Sequence, residues 1–413
     1  METTLENKPR PFKEVWLITL GHGLTHWYPA TFYLILPFVG KDLGLSFTQI
    51  GFIITFQFIA STISNIPGGM LVDTIGKKGL LMALSLFWVG IPYLLMNFTS
   101  SYLILLFLIS LVGIGNNLWH PTAISTLSQQ FPERKGLVLS IHGMGANVGD
   151  ALAPLAIGAL LGTLNWRAVV VINILPGAIM AFLVLIFLRN LRVASKDKEN
   201  LYNQSVKGIQ ITKYIKGLKD LFHNKSLIVI SASSGFRSMT QNALLTFLPL
   251  FLLQELNYSP FWVGTGMFLL QAGGFITAPI AGYLSDKLGR RKITTTSMIM
   301  TAVILVFMAI LGRSSYFIFF IAILGFFLYA IRPVLQAWII ECTPKEMAGT
   351  SIGILFGMQS LGSSISPLIG GIIADKFGLF GTFYFITTTI ILANLFIFLM
   401  PNETDRNGKH LVA

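Results

Sequence analysis

Gly69-Met-Leu-Val-Asp73-Thr-Ile-Gly76-Lys77-Lys78 separates two long apolar stretches, and Gly282-Tyr-Leu-Ser-Asp286-Lys-Leu-Gly289-Arg290-Arg291 separates two others 213 positions later. A charged turn that recurs at about half the chain length marks an internal duplication. Because each copy joins apolar segments, the duplicated unit is a set of membrane-spanning helices. The same offset reappears away from the turns. Gly23 and Pro37 match Gly235 and Pro249, while Leu43, Ser46 and Gly51 match Leu256, Ser259 and Gly264. Gly149, Pro154 and Gly158 match Gly362, Pro367 and Gly371, so the offset is 212 or 213 throughout.

The composition demands a bilayer. Of 413 residues 54% are hydrophobic and 11% are charged, with a mean hydropathy of +0.72; a soluble domain carries about a quarter charged residues. A spanning helix needs about 20 apolar residues, and twelve stretches qualify: 14–38, 47–71, 79–97, 102–127, 137–161, 167–188, 227–252, 261–284, 293–312, 315–340, 349–373 and 379–400. The expectation is an all-α membrane protein of twelve transmembrane helices. Its two six-helix halves, residues 1–188 and 227–413, are joined by a basic cytoplasmic linker over 189–226. An even number of helices per half makes the repeats parallel, related by an axis along the membrane normal.

Basic residues set the orientation. With the N-terminus inside, 23 of the 29 Lys and Arg are cytoplasmic; only Lys41, Arg167, Arg313 and Lys376 lie outside, and Arg237 and Arg332 lie within helices. This bias places both termini in the cytoplasm, and the plasma (inner) membrane is the expected location. The net charge of +12 then reflects topology and lipid headgroups, not nucleic-acid binding. Within the linker, 209–222 reads as an amphipathic helix lying on anionic lipid. The polar first 13 residues and a long apolar stretch interrupted by His22 and His26 do not read as a cleavable signal. A single cysteine, Cys342, rules out an intrachain disulfide and a multi-cysteine metal site, and is placed at a helix end.

Taken together, the chain resembles the major facilitator superfamily over essentially its whole length. The turn at 282–291 fits the family signature in full, whereas the first turn has Thr74 in a usually basic position. The resemblance implies a central cavity lined by spans 1, 4, 7 and 10. It also implies a cytoplasmic gate in which Asp73, Lys77, Asp286, Arg290 and Arg291 lock the halves. Within the superfamily the chain is similar to fosmidomycin-resistance-type efflux proteins. That likeness is carried by Gly21-His22, Tyr28 and Pro37, by Leu43-Gly-Leu-Ser46 with Gln49-Ile-Gly51, and by Gly113, Gly115 and His120-Pro121. It continues in Gly145, Asn147, Gly149 and Pro154, and in Arg237 ahead of Phe247-Leu-Pro249-Leu. Two departures, His26 and Asp150, fall where a proton or substrate would bind.

An ionisable side chain within hydrocarbon is costly and marks a functional position by default. The candidates are His22, His26, His120, His142, Asp150, Arg237 and Arg332. His22 and His26 share a helix face through their i, i+4 spacing, and by the resemblance they converge on the cavity with His120, Arg237 and Arg332. Asn116 and Asn117, one turn from His120, are expected to add hydrogen bonds, and His142 to be a satisfied packing residue near the membrane edge. Arginine binds carboxylate or phosphate through a two-pronged contact, so two arginines point to an anionic substrate, unless Arg237 pairs internally with Asp150. His26 and Asp150 are the candidate proton-coupling groups.

These readings converge on a secondary active transporter, expected to be a monomer, exporting a small organic anion or drug in exchange for protons by alternating access. Proton-coupled uptake of a nutrient anion is an alternative, and so is transition-metal export through the intramembrane histidines. The arginines oppose a cationic cargo, and no resident metal or other cofactor is expected. One His pair and no phosphate loop or nucleophile set leave little for an enzyme.

Overall fold

Apolar stretches of 19 to 30 residues, short polar turns and helix-capping residues at their starts produce a bundle of long helices. The computed structural model describes residues 12–189, 219–311, 316–344 and 347–400, without the side chains of Asn65, Ile66 and Asp73. Most of the linker expected at 189–226, the amphipathic helix expected at 209–222, both extreme termini and the Asp73 side chain therefore lie outside the described residues.

The helices in order are α1 (Lys13–Asp42), α2 (Phe47–Thr74), α3 (Lys78–Met96), α4 (Tyr102–Gln130) and α5 (Lys135–Leu161). There follow α6 (Trp166–Leu188), interrupted at Asn173, α7 (Lys225–Gln254), α8 (Pro260–Leu288), α9 (Arg290–Leu311), α10 (Phe317–Glu341) and α11 (Ala348–Phe398). Ser46 begins α2 with a reciprocal cap, accepting from the Gln49 N–H at 3.2 Å while the Gln49 side chain accepts from the Ser46 N–H at 2.9 Å. Asn165 and Asn224 cap α6 and α7 in the simpler way. The 51-residue α11 is divided at Gly378, whose φ of 73° only glycine adopts freely. The break falls between the stretches expected at 349–373 and 379–400.

Among the described residues, nine helices are long and apolar enough to cross a membrane by length and composition. The 30-residue α1 and α7 are not among them because they carry the polar residues of the interior, and α11 holds two stretches. This is consistent with twelve crossings. Large apolar side chains such as Leu103, Phe107, Phe187 and Ile310 stand outside the bundle, where lipid replaces water as their solvent. The chain is an integral membrane protein.

The duplication is visible in the packing. α1 packs on α5 and α7 on α11; α2 packs on α4 and α8 on α10; α3 packs on α4 and α9 on α10. The two most extensive contacts between the repeats are α2 with α11 and α5 with α8, and α1 also meets α7. The first two are glycine seams. A Cβ on Gly51 would strike the Pro367 carbonyl and one on Gly371 the Phe47 carbonyl. The related pair, Gly264 and Gly158, sits equally tightly against Pro154 and Pro260. The Asp375 carboxylate closes the first seam, accepting the N–H groups of Phe47 and Thr48 at 2.8 Å each. At the opposite end, a side chain added at Gly68, Gly69, Gly282, Gly349 or Gly353 would meet open space. The bundle is therefore sealed at the end of the 43–46 and 255–259 turns and open at the end of the charged turns.

Candidate functional site

The polar residues of α1 gather those of α4 and α5. Glycines permit this: a Cβ on Gly149 would collide with the Gly23 carbonyl, and one on Gly145 with the Thr19 carbonyl, so α1 and α5 touch backbone to backbone. At this distance short polar side chains meet across the interface. His22 places its Nδ1 2.7 Å from the His142 carbonyl oxygen. His26 places its Nδ1 3.1 Å from an oxygen of Asp150, with 29% of each side chain exposed. His120 comes from α4, its Nδ1 3.4 Å from the Asn116 carbonyl. The His22 ring lies edge-on to His26 and His120, with centroids 4.9 and 5.0 Å away, and is stacked on His142 at 3.9 Å. One ring nitrogen from each of His22, His26 and His120 lies within 4.8 Å of the others.

The other repeat contributes the cations. Arg237 is 2% exposed in the middle of α7. It donates to the Leu328 carbonyl at 3.2 Å, its guanidinium lies 5.8 Å from the Tyr329 ring centroid, and its Nε has no partner among the described residues. Gln241 donates to the Tyr329 hydroxyl at 3.4 Å. Arg332, one turn along α10, is exposed and within electrostatic reach of Arg237. Asp150 acts electrostatically on Tyr33 and Tyr329, so the His–Asp cluster and the arginines share one polar interior. Tyr33 also reaches across, donating to Asn242 at 3.4 Å, and Asn242 donates to Ser363 at 2.7 Å.

One alternative falls away and two expectations need correction. Arg237 does not pair with Asp150, whose partner is His26; backbone contact between α1 and α5 brings that histidine to the carboxylate. His142 is not a satisfied residue at the membrane edge: it is 3% exposed, stacked on His22, and both its ring nitrogens lack partners. Asn117 turns toward α2, donating to the Ser61 carbonyl and, at 2.8 and 3.2 Å, to the Ser61 and Ser64 hydroxyls. Its amide is thereby committed to helix packing. Asn116 remains beside His120 with a buried, unpartnered Oδ1.

At the open end, Arg290 forms an ion pair with Asp286 and a second with Glu341 at 2.7 Å. Lys77 is exposed and Arg291 half-buried, while Lys78 is buried and donates to the Val72 carbonyl. Glu341 was not singled out from sequence, although an acid closing an apolar stretch opposite a basic turn is a usable signal. Asp375 was also missed. Cys342 does close α10, its carbonyl accepting from Asn224 at 3.0 Å.

The repeated packing and the polar interior accord with comparison to known proteins. The sequence profile of the Major Facilitator Superfamily matches residues 15–276 and 230–411. The chain belongs to this superfamily. It is thus a secondary transporter. Similar superfamily proteins include the phosphoglycerate transporter protein of Salmonella typhimurium, 26% identical over 92% of this chain and 87% of that one. The glycerol-3-phosphate transporter of Bacillus subtilis is 22% identical over 95% and 93%, and the probable sulfoacetate transporter of Cupriavidus necator is 23% identical over 87% of each. Among solved structures, a bacterial homolog of the human lysosomal transporter Spinster, inward-facing and occupied, superposes with a TM-score of 0.79 at 17% identity, covering 94% of this chain and 96% of that one. The D-xylose-proton symporter gives 0.78 at 16% identity over 97% and 99%. These structures share the superfamily fold.

Proposed function

We propose that the protein moves small organic anions bearing phosphate, sulfonate or carboxylate groups, coupled to protons, by rocking residues 1–188 against 227–413. The observation that carries this reading is Arg237. A buried guanidinium with one carbonyl partner, a free Nε and, among the described residues, no carboxylate to neutralise it is incomplete without an anion. Arg332 adds a second unneutralised charge nearby. The relatives named for phosphoglycerate, glycerol 3-phosphate and sulfoacetate support an anion of this size and charge. The likeness to fosmidomycin-resistance-type proteins asks for the same chemistry in a phosphonate drug.

His22, His26, His120 and Asn116 complete the substrate chamber in this reading. The His26–Asp150 pair carries the proton. When it is protonated, its interaction with the second repeat through Tyr329 changes and one access state is favoured over the other. Asp73, Lys77, Asp286, Arg290 and Arg291 gate the cytoplasmic end, so the present state is the inward-open one. The molecule acts as a monomer in the plasma membrane with both termini inside, and its cycle exports the anion. Uptake of the same anion by symport is the second reading, since a polar interior of this kind serves either direction.

Reconstitution into liposomes with an imposed pH gradient tests this. Phosphoglycerate, glycerol 3-phosphate, sulfoacetate and a phosphonate are the cargo panel, with a neutral sugar as control. The expected result is gradient-dependent movement of at least one anion, reduced at least tenfold by Arg237→Lys. Transport of the sugar alone, or full activity in Arg237→Lys, would overturn the reading. The sign of the gradient that drives accumulation sets the direction.

A further inference from the structure

We infer that His22, His26 and His120 form a site for a divalent transition-metal ion. The inference goes beyond the anion reading and does not depend on which anion is moved. Three features of the cluster support it. First, one nitrogen from each ring already lies within 4.8 Å of the other two. An ion held at about 2.0–2.1 Å from three imidazoles needs them about 3.4 Å apart, so the rings close by little more than an ångström. Second, each ring turns its Nδ1 toward an oxygen acceptor: the His142 carbonyl for His22, the Asp150 carboxylate for His26 and the Asn116 carbonyl for His120. That arrangement fixes the tautomer with Nε2 as the free lone pair, as metal-ligating histidines require. Third, the Nε2 of His22 is buried without a hydrogen-bond partner among the described residues. A buried ring nitrogen without a partner is uncommon, and a metal ion would satisfy it.

The ligand set selects the ion. Neutral imidazoles suit zinc, nickel, cobalt or copper and disfavour magnesium and calcium, which need oxygen ligands. Asp150 supplies negative charge beside the cluster, and the cations Arg237 and Arg332 stand on helices of the other repeat, which answers the charge objection drawn from sequence. His142 is not a fourth ligand. Its ring is stacked on His22 with an interplanar angle of 11°, so the in-plane lone pairs of the two rings run parallel and cannot converge on one ion. At least one coordination position is left open toward the chamber.

The bland alternative is a histidine cluster that packs and exchanges protons without binding any ion. Calorimetric titration of the full-length, tag-free protein in detergent with zinc alone separates the two, as does the visible absorption of added cobalt. The expected result is saturable one-to-one binding in the micromolar range or tighter and the intense spectrum of tetrahedral cobalt. His120→Ala and His26→Gln should each weaken binding at least tenfold. Asp150→Asn, which leaves every ligand in place, should weaken it by about 10–100-fold. His223→Ala, at an exposed histidine on another part of the chain, should change nothing. Thermal unfolding of each variant identifies those that are misfolded. Absence of saturable binding, or binding that survives in folded His120→Ala and His26→Gln variants, would overturn the inference. A protein that binds zinc but moves none of the anions would overturn the earlier reading and leave this one standing. A protein that moves anions but binds no metal would do the reverse.

Discussion

Asp375, near the middle of α11, holds the N-terminus of α2 through the Phe47 N–H at 2.8 Å, across 328 residues of sequence. The carboxylate takes the Thr48 N–H as well, so it satisfies two donors that the first turn of a helix leaves open, and its charge complements the positive end of the helix dipole. One side chain thus caps a helix of the opposite repeat. In the alternating-access cycle proposed above, parting of this end breaks the bond.

Asp375→Ala should therefore shift the balance between access states rather than unfold the protein. Loss of a cap costs about 1–2 kcal/mol, roughly a 5–30-fold change in the ratio of the two states. Thiol labelling of Thr48→Cys in a Cys342→Ser background would report the change as faster modification. An unchanged labelling rate would remove Asp375 from the seal.

Gly264→Leu addresses the second seam. The new side chain meets the Pro154 carbonyl and the Gly158 backbone, and such overpacking costs about 1–3 kcal/mol or more. The seam can relieve the clash by parting, so the variant should hold the end near Ser259 open. The check is a lengthened distance between spin labels on the tips of α5 and α8, with transport lost. The offset-related Gly51→Leu should act the same way at α2 and α11.

Gly149→Val tests the chamber instead of the seam. Here the obstructed pair is α1 and α5 of one repeat, with the Gly23 carbonyl in the way. Separation of these helices pulls His26 from Asp150 and His22 from His142. Proton-driven transport should fall at least tenfold, while labelling at the two seams stays as in the wild type.

Glu341→Gln removes one of the two acids that hold Arg290. The pair is half exposed and worth at most about 1 kcal/mol, so stability should barely move. Asp286 keeps a partner in Arg290, and transport should decline only a few-fold, as read in the liposome assay.

The duplication, the number of apolar stretches and the charged turns were legible because each is periodic or local. The glycine pairs at 51 and 264 and at 158 and 371, found as matching letters, turned out to be the two seams, since a residue kept for close backbone approach leaves the same mark in both copies. The side-chain pairings between helices were not legible. His26 meets Asp150 across 124 residues and Trp27 donates to Asn173 across 146, and nothing in a linear spacing selects these partners over others at similar depth. Distance to a helix end places His142 by depth alone and says nothing of the face on which it lies. Asn117 was assigned to the chamber for its proximity to His120, yet a residue three positions earlier on a helix faces about 60° away.

The two seams consist largely of main chain resting on main chain. At Gly51, Gly371, Gly158 and Gly264 the backbones meet with no side chain between them, so the surfaces can part at these points without a change of rotamer. In the alternating-access cycle proposed above, a cargo with a preference of a few kcal/mol for one form suffices to reverse the balance between forms that lie that close in free energy. Glycine contacts of this kind are the ones a modest chemical stimulus can part in a chain of 413 residues.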